Sequence, residues 1–194
     1  MNKTFLNMFG AAFHAERVSE PECSEKKICY PGAIMDARVE GIGVEFFPDN
    51  DEPWFATFAS GDISPNAASF AGAHPNKSHA VIVSKGEGYI VNVSNPADWE
   101  ELSIRPIMGV AVDKSAGVIV LWDFIRMLCL DENGVRWKTP SISWDGIKDV
   151  SILDDCVQAT IWDAPTSKNV IAKIAITDGS LLGGASSPEL LGIE

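Results

Sequence analysis

Residues 118–139 read VIVLWDFIRMLCLDENGVRWKT, and this stretch decides the fold. Val118–Trp122 is an unbroken apolar run closed by Asp123, and Ile125–Leu130 is a second run interrupted only by Arg126. Apolar runs of this length, rich in β-branched residues and bounded by turn formers, fit strands buried on both faces. Between them and the next run stands Asp131-Glu132-Asn133-Gly134, whose Asn-Gly pair tolerates the positive φ of a tight hairpin. Val135, Trp137 and Thr139 then alternate with Arg136 and Lys138, which predicts a half-buried or edge strand.

Working outward, the same grammar recurs. Downstream of Pro140, Ser141–Gly146 alternates polar and apolar, Ile147–Leu153 and Val157–Ile161 flank a turn at Asp154-Asp155, and Val170–Thr177 ends at Asp178-Gly179. Upstream, Ala80–Ser84 and Tyr89–Val93 flank Lys85–Gly88, and Asn95-Pro96 leads to Trp99–Ile104. Each group closes with a turn and one last short strand. Those turns, at Asn95-Pro96, Asn133-Gly134 and Asp178-Gly179, are 38 and 45 residues apart, the repeat length of propeller blades. No segment from 105 to 184 sustains a 3.6-residue apolar period.

The expected fold is therefore mainly β: an antiparallel meander of about three blade-like units and about ten to twelve strands, in a curved or two-layer sheet assembly. The 194 residues suit one domain, with a less regular region over 1–53, a β-meander core over 54–184 and a C-terminal tail over 185–194. Within the N-terminal region, Phe5, Met8, Phe9 and Ala12 recur at helical spacing and predict a short helix over 1–15.

Trp122-Asp123 and Trp162-Asp163, forty residues apart, together with the hairpin before Val135-Arg136-Trp137, resemble blades of β-propellers of the quinoprotein and WD-repeat kind. At most three four-stranded units fit between 54 and 184, whereas closure needs about four or more blades, so a closed full-size propeller is not expected. Trp137-Lys138-Thr139 and Ile142–Ile147 also resemble a segment of uncharacterised bacterial proteins, a likeness that implies no activity.

The formal net charge is −12, divided as −5 over residues 1–97 and −7 over 98–194. An acidic surface repels phosphate backbones and anionic lipids, which argues against nucleic-acid and membrane partners and suits a basic protein. Cys23, Cys29, Cys129 and Cys156 follow no zinc spacing, and two of them fall in apolar runs. The apolar patch before Ala15 is broken by Asn7 and His14 and has no small-x-small cleavage site, so a cytoplasmic location is expected.

The chemistry-bearing residues form no specific motif. Asp49–Glu52 opens like a calcium loop, but Pro53 and Trp54 stand where an oxygen ligand and a glycine are needed. The histidines His14, His74 and His79 are not accompanied by a Gly-x-Ser-x-Gly elbow. No catalytic residue, metal ligand set or cofactor is therefore assigned. His74 and His79, in or beside a Gly/Ser/Asn/Pro-rich loop expected over 61–79, are candidate ligand- or partner-binding residues. So are Trp144, Asp145, Trp162 and Asp163, which sit at turns where an indole and a carboxylate can meet a partner. Trp122 and Trp137 read as core. The expected function is a soluble, non-enzymatic interaction protein, one form being a neutralising partner of a basic protein, such as an immunity protein for a basic toxin. The alternative is a small-molecule or carbohydrate binder or hydrolase built on the 61–79 loop.

Overall fold

The structure, a computed structural model, describes residues 4–61 and 64–184. Among them are seventeen strands and no helix, and so no helix long and apolar enough to cross a membrane. The chain divides into two compact units, residues 1–107 and 108–194.

The first unit contains two sheets. Strands β1 (Phe13–Arg17), β2 (Lys26–Tyr30), β3 (Ile34–Met35), β4 (Gly41–Pro48) and β5 (Trp54–Ala59) form a five-stranded sheet in the order β1-β4-β5-β2-β3, with β2 parallel to β5. Strands β6 (Phe70–Ala73), β7 (His79–Ser84), β8 (Glu87–Asn92) and β9 (Trp99–Glu101) form an antiparallel meander. Period-two alternation places Ile42, Val44 and Phe46 of β4 and Trp54, Ala56 and Phe58 of β5 in one core with Ala80 and Ile82 of β7 and Tyr89 and Val91 of β8. Polar tips of buried aromatics tie the sheets together. Trp54 Nε1 donates to Val93 O at 2.9 Å, Tyr30 Oη to Pro96 O at 2.7 Å and Tyr89 Oη to Ala59 O at 3.0 Å.

The second unit contains two further meanders. Strands β10 (Gly109–Asp113), β11 (Val118–Trp122), β12 (Met127–Asp131) and β13 (Gly134–Lys138) form one; β14 (Ile147–Ile152), β15 (Cys156–Asp163), β16 (Lys168–Ala175) and β17 (Leu181–Gly183) form the other. Val118, Val120, Met127, Cys129 and Trp137 from the first share a core with Ile147, Val157, Ala159, Ile161, Ala172 and Ile174 from the second. Trp137 Nε1 donates to Ile176 O at 2.9 Å, the counterpart of the Trp54 bond. Gly109 gives the Trp122 indole its place: a Cβ there would lie 2.0 Å from the ring.

The three antiparallel, blade-like meanders are those expected from the sequence, and their first strands begin at Phe70, Gly109 and Ile147. Each ends in a short strand after the anticipated turn, and none of the four sheets closes on itself. Several local expectations are corrected. The helix over 1–15 does not form among the described residues: Leu6 bridges to Gly72 of β6, and Phe13–Arg17 is β1. Core burial of Phe5, Phe13 and Ala15 outweighs helical spacing. The loop over 61–79 contains β6, because Phe70–Ala73 pairs with Ala80–Val83. Ser141–Trp144 is not a strand; Ile142 N and Trp144 N instead reach Ile125 O and Trp162 O. Of the Asn133-Gly134 pair only Gly134 has positive φ, and Asp131 Oδ1 accepts from Asn133 N at 2.7 Å. The tail over 185–194 lies outside the described residues.

Trp137→Phe keeps the ring but leaves the Ile176 carbonyl without its indole donor. A loss of about 1–3 kcal/mol is expected, read as a lower urea midpoint than wild type.

Candidate functional site

The β6-β7-β8-β9 meander gathers polar side chains at one end, where β6 leaves, β7 enters, β8 leaves and β9 enters. The organiser is Asn76. Its Oδ1 accepts from Ser78 N at 3.1 Å and His79 N at 3.0 Å, which fixes the amide so that Nδ2 points to His79 Nδ1 at 3.0 Å. An amide nitrogen only donates, so His79 Nδ1 is an acceptor and its proton sits on Nε2. That nitrogen lies 3.8 Å from Asp98 Oδ2, which also accepts from Asn92 Nδ2 at 3.1 Å. Ser78 Oγ stands 2.9 Å from His79 Nδ1. His74 is buried; its Nδ1 accepts from Asn76 N at 3.1 Å, and its ring centre is 6.1 Å from that of His79. The Nδ1 lone pair of each ring is thus engaged by Asn76, which suits a braced turn better than a metal pair.

Beside this turn is a recess of about 270 Å³ lined by His79, Ile90, Asp98, Trp99 and Glu100. The register explains its composition. His79 pairs with Asn92 and Ile90 with Glu100, placing His79, Ile90 and Glu100 on the sheet face opposite Ala80 and Ile82. Trp99 is half-buried, edge-on to Tyr30 with ring centres 5.4 Å apart. Glu101 is paired with Arg105, whose Nε also lies 3.0 Å from Glu87 Oε1, whereas Asp98 and Glu100 face the recess. A second recess of about 330 Å³, on the other side of the β8–β9 turn, includes Asp51, Glu52, Trp54 and Pro96.

In the second unit, Trp144 N bonds to Trp162 O at 3.2 Å, which brings those two residues together. Both indoles are half-buried and Asp145 is exposed. Ser143 Oγ donates to Gly146 O at 2.9 Å, closing the turn that carries Asp145. Asp163 is buried, and its carboxylate accepts from Thr166 Oγ1. Asp123 occupies the matching place in the preceding meander, its Oδ1 accepting from Ile125 N at 2.7 Å and Arg126 N at 2.6 Å. Both Trp-Asp pairs therefore end the second strand of a meander, where the aspartate holds the turn.

No protein-family model matches the sequence, and no curated protein matches it. Among solved structures, the chain is similar to the N-terminal domain of Nup159 at 8% identity and a TM-score of 0.43, over 97% of this chain and 47% of that one. It is also similar to a chain from a structure of S. cerevisiae Dbp5 bound to Nup159 and Gle1, at 9% identity and a TM-score of 0.40, over 98% and 52%. The chain thus spans about half the length of the structures it matches.

Sequence reasoning did not find the Asp98–Glu100 recess as a unit, although the acid-aromatic-acid order after Asn95-Pro96 was its signal. It also missed Glu45, a carboxylate only 1% exposed on β4. Glu45 Oε1 accepts from Ser24 Oγ at 2.6 Å, Ser24 N at 2.7 Å and Cys23 N at 2.9 Å, and Oε2 accepts from Glu22 N at 3.1 Å. Desolvation alone would raise its pKa, but these donors together outweigh it and hold the carboxyl below the ordinary glutamate range. The unfolded chain then takes up the proton at higher pH than the folded one. The stabilisation is present above the ordinary glutamate range and is lost as pH falls through the lowered folded value. Glu45→Gln should flatten that acid limb and lower stability at neutral pH by about 1.5–3 kcal/mol, measured by urea unfolding across a pH series.

Proposed function

We propose that the chain is a soluble, non-enzymatic interaction protein whose acidic surface takes a basic protein, in the manner of a cytoplasmic neutralising, immunity-like partner. The observation that carries this reading is the recess in which Asp98 and Glu100 stand beside Ile90, with Trp99 between the two acids in sequence. A lysine or arginine side chain has matching chemistry: an apolar stem for Ile90 and a cationic head for the two carboxylates. Asp98, with 59% of its side chain exposed, can pair with an incoming cation without first being dehydrated at depth. Asp51 and Glu52 at the adjoining recess extend the negative surface, and the net charge of −12 favours fast encounter with a basic protein.

The test is the affinity of the full chain for a fluorescent peptide of alternating lysine and alanine, at low and raised salt. Asp98→Asn combined with Glu100→Gln should weaken binding about 2- to 30-fold, from roughly 0.2–1 kcal/mol per exposed ion pair. Salt should weaken wild-type binding and close the gap between wild type and variant. Salt-independent binding, or equal affinities at low salt, would sink the proposal.

A further inference from the structure

The turn between β12 and β13 carries a reactive pair that the fold does not consume. Asn133 is the one asparagine in the chain that is followed by glycine. Asp131 and Gly134 form the last rung of the ladder, so Glu132 and Asn133 are the turn itself, and both are exposed. Asp131 Oδ1 holds the Asn133 main-chain nitrogen at 2.7 Å, but the Asn133 side-chain amide makes no hydrogen bond among the described residues. At Gly134, with φ of 106°, no atom beyond the chain neighbours would lie within 4 Å of a Cβ, so the peptide nitrogen joining the two residues is uncrowded. The other asparagines differ. Asn7, Asn76 and Asn92 have side-chain oxygens committed to backbone N–H groups, and Asn95 precedes Pro96, whose nitrogen bears no hydrogen. Asn50, Asn66 and Asn169 are followed by residues whose Cβ crowds the same nitrogen.

We propose that Asn133 is a site of spontaneous deamidation, and that its isoaspartate product loosens the β12–β13 hairpin. The inference goes beyond the basic-partner reading and uses none of its residues. The Gly134 nitrogen gives its proton to hydroxide and attacks Asn133 Cγ. A Cγ–N bond forms, the bond from Cγ to Nδ2 breaks, and the leaving nitrogen takes a proton from water and departs as ammonia. Water then opens the five-membered imide. Cleaving the new Cγ–N bond yields aspartate, whereas cleaving the original peptide bond leaves the chain running through Cγ as isoaspartate. Nothing is oxidised or reduced, and water is the co-reactant. The rung at the tip of a hairpin opens most readily, which frees the Gly134 nitrogen for the attack. Either product puts a third carboxylate beside Asp131 and Glu132, where like charges repel. It also competes for Arg136, whose Nε lies 3.4 Å from Asp131 Oδ2. Isoaspartate further adds a carbon to the connection, so the Asp131–Gly134 rung no longer matches. The strand thereby disturbed, β13, carries Trp137 and its bond to Ile176 O.

The experiment incubates the full chain at mildly alkaline pH and follows each asparagine by peptide mass spectrometry, reading the mass gained when NH2 is replaced by OH. Asn133 should convert about tenfold faster than any other asparagine, with isoaspartate identified by enzymatic methylation of its carboxylate. The modified fraction, separated by its extra charge on an anion exchanger, should unfold at a lower urea midpoint than fresh protein. Asn133→Gln, whose longer side chain closes a ring far more slowly, should keep its midpoint through the same incubation. Asn133→Asp supplies the charge without the added carbon and should lose less than the isoaspartate fraction. Conversion at Asn133 no faster than elsewhere, an unchanged midpoint in the modified fraction, or an equal loss in either variant would overturn the proposal.

Discussion

An indole N–H reaching a carbonyl outside its own sheet is the interaction on which each unit depends. Trp54 gives its proton to Val93 O and Trp137 gives its proton to Ile176 O. A buried tryptophan offers a large apolar surface and a single donor that must be met. Each ring therefore fixes how two sheets share a core while filling that core. Around Trp54 the packing is almost wholly aromatic, with Phe46 stacked at 4.5 Å and Phe58, Tyr30 and Tyr89 beyond it. Around Trp137 it is aliphatic, built from Val118, Val120, Val157 and Ile174. The same polar constraint is thus met in two differently packed cores.

The meanders were legible because their information is local. Val118–Trp122 is a strand with the bounds its apolar run suggested, and the turns before the three closing strands came from short side chains beside glycine or proline. What was not legible depends on partners distant in sequence. Phe5 and Phe13 satisfy a helical spacing yet lie extended in a core completed by Phe46. The parallel pairing of Lys26–Tyr30 with Trp54–Phe58 has no sequence signature, and neither does burial of Glu45 beneath a segment more than twenty residues earlier. His74 and His79 could be placed near one another, but the reason, Asn76 bracing both, needed the turn itself. The Asp98–Glu100 recess needed the β8–β9 register.

Part of the acidity is architectural. Asp113, Asp123, Asp131 and Asp178 each accept a backbone N–H at a turn, as Asn76 and Asn92 do in the first unit. A short side-chain acceptor supplies the bond that the ladder cannot provide where a strand reverses. These carboxylates are spoken for by the fold. Composition alone counts them as equal to Asp98 and Glu100, and the structure separates the two kinds.

The connectivity of the N-terminal residues also orders events in time. Within each meander a strand pairs with one made just before it, so those sheets assemble from neighbouring sequence as the chain is synthesised. Leu6 is placed otherwise. Its amide bonds to Ala71 O, and its carbonyl accepts from Ala73 N. Leu6, made well before its partners, must therefore wait until Ala73 has been made. Until then, the stretch holding Phe5 has no edge to join.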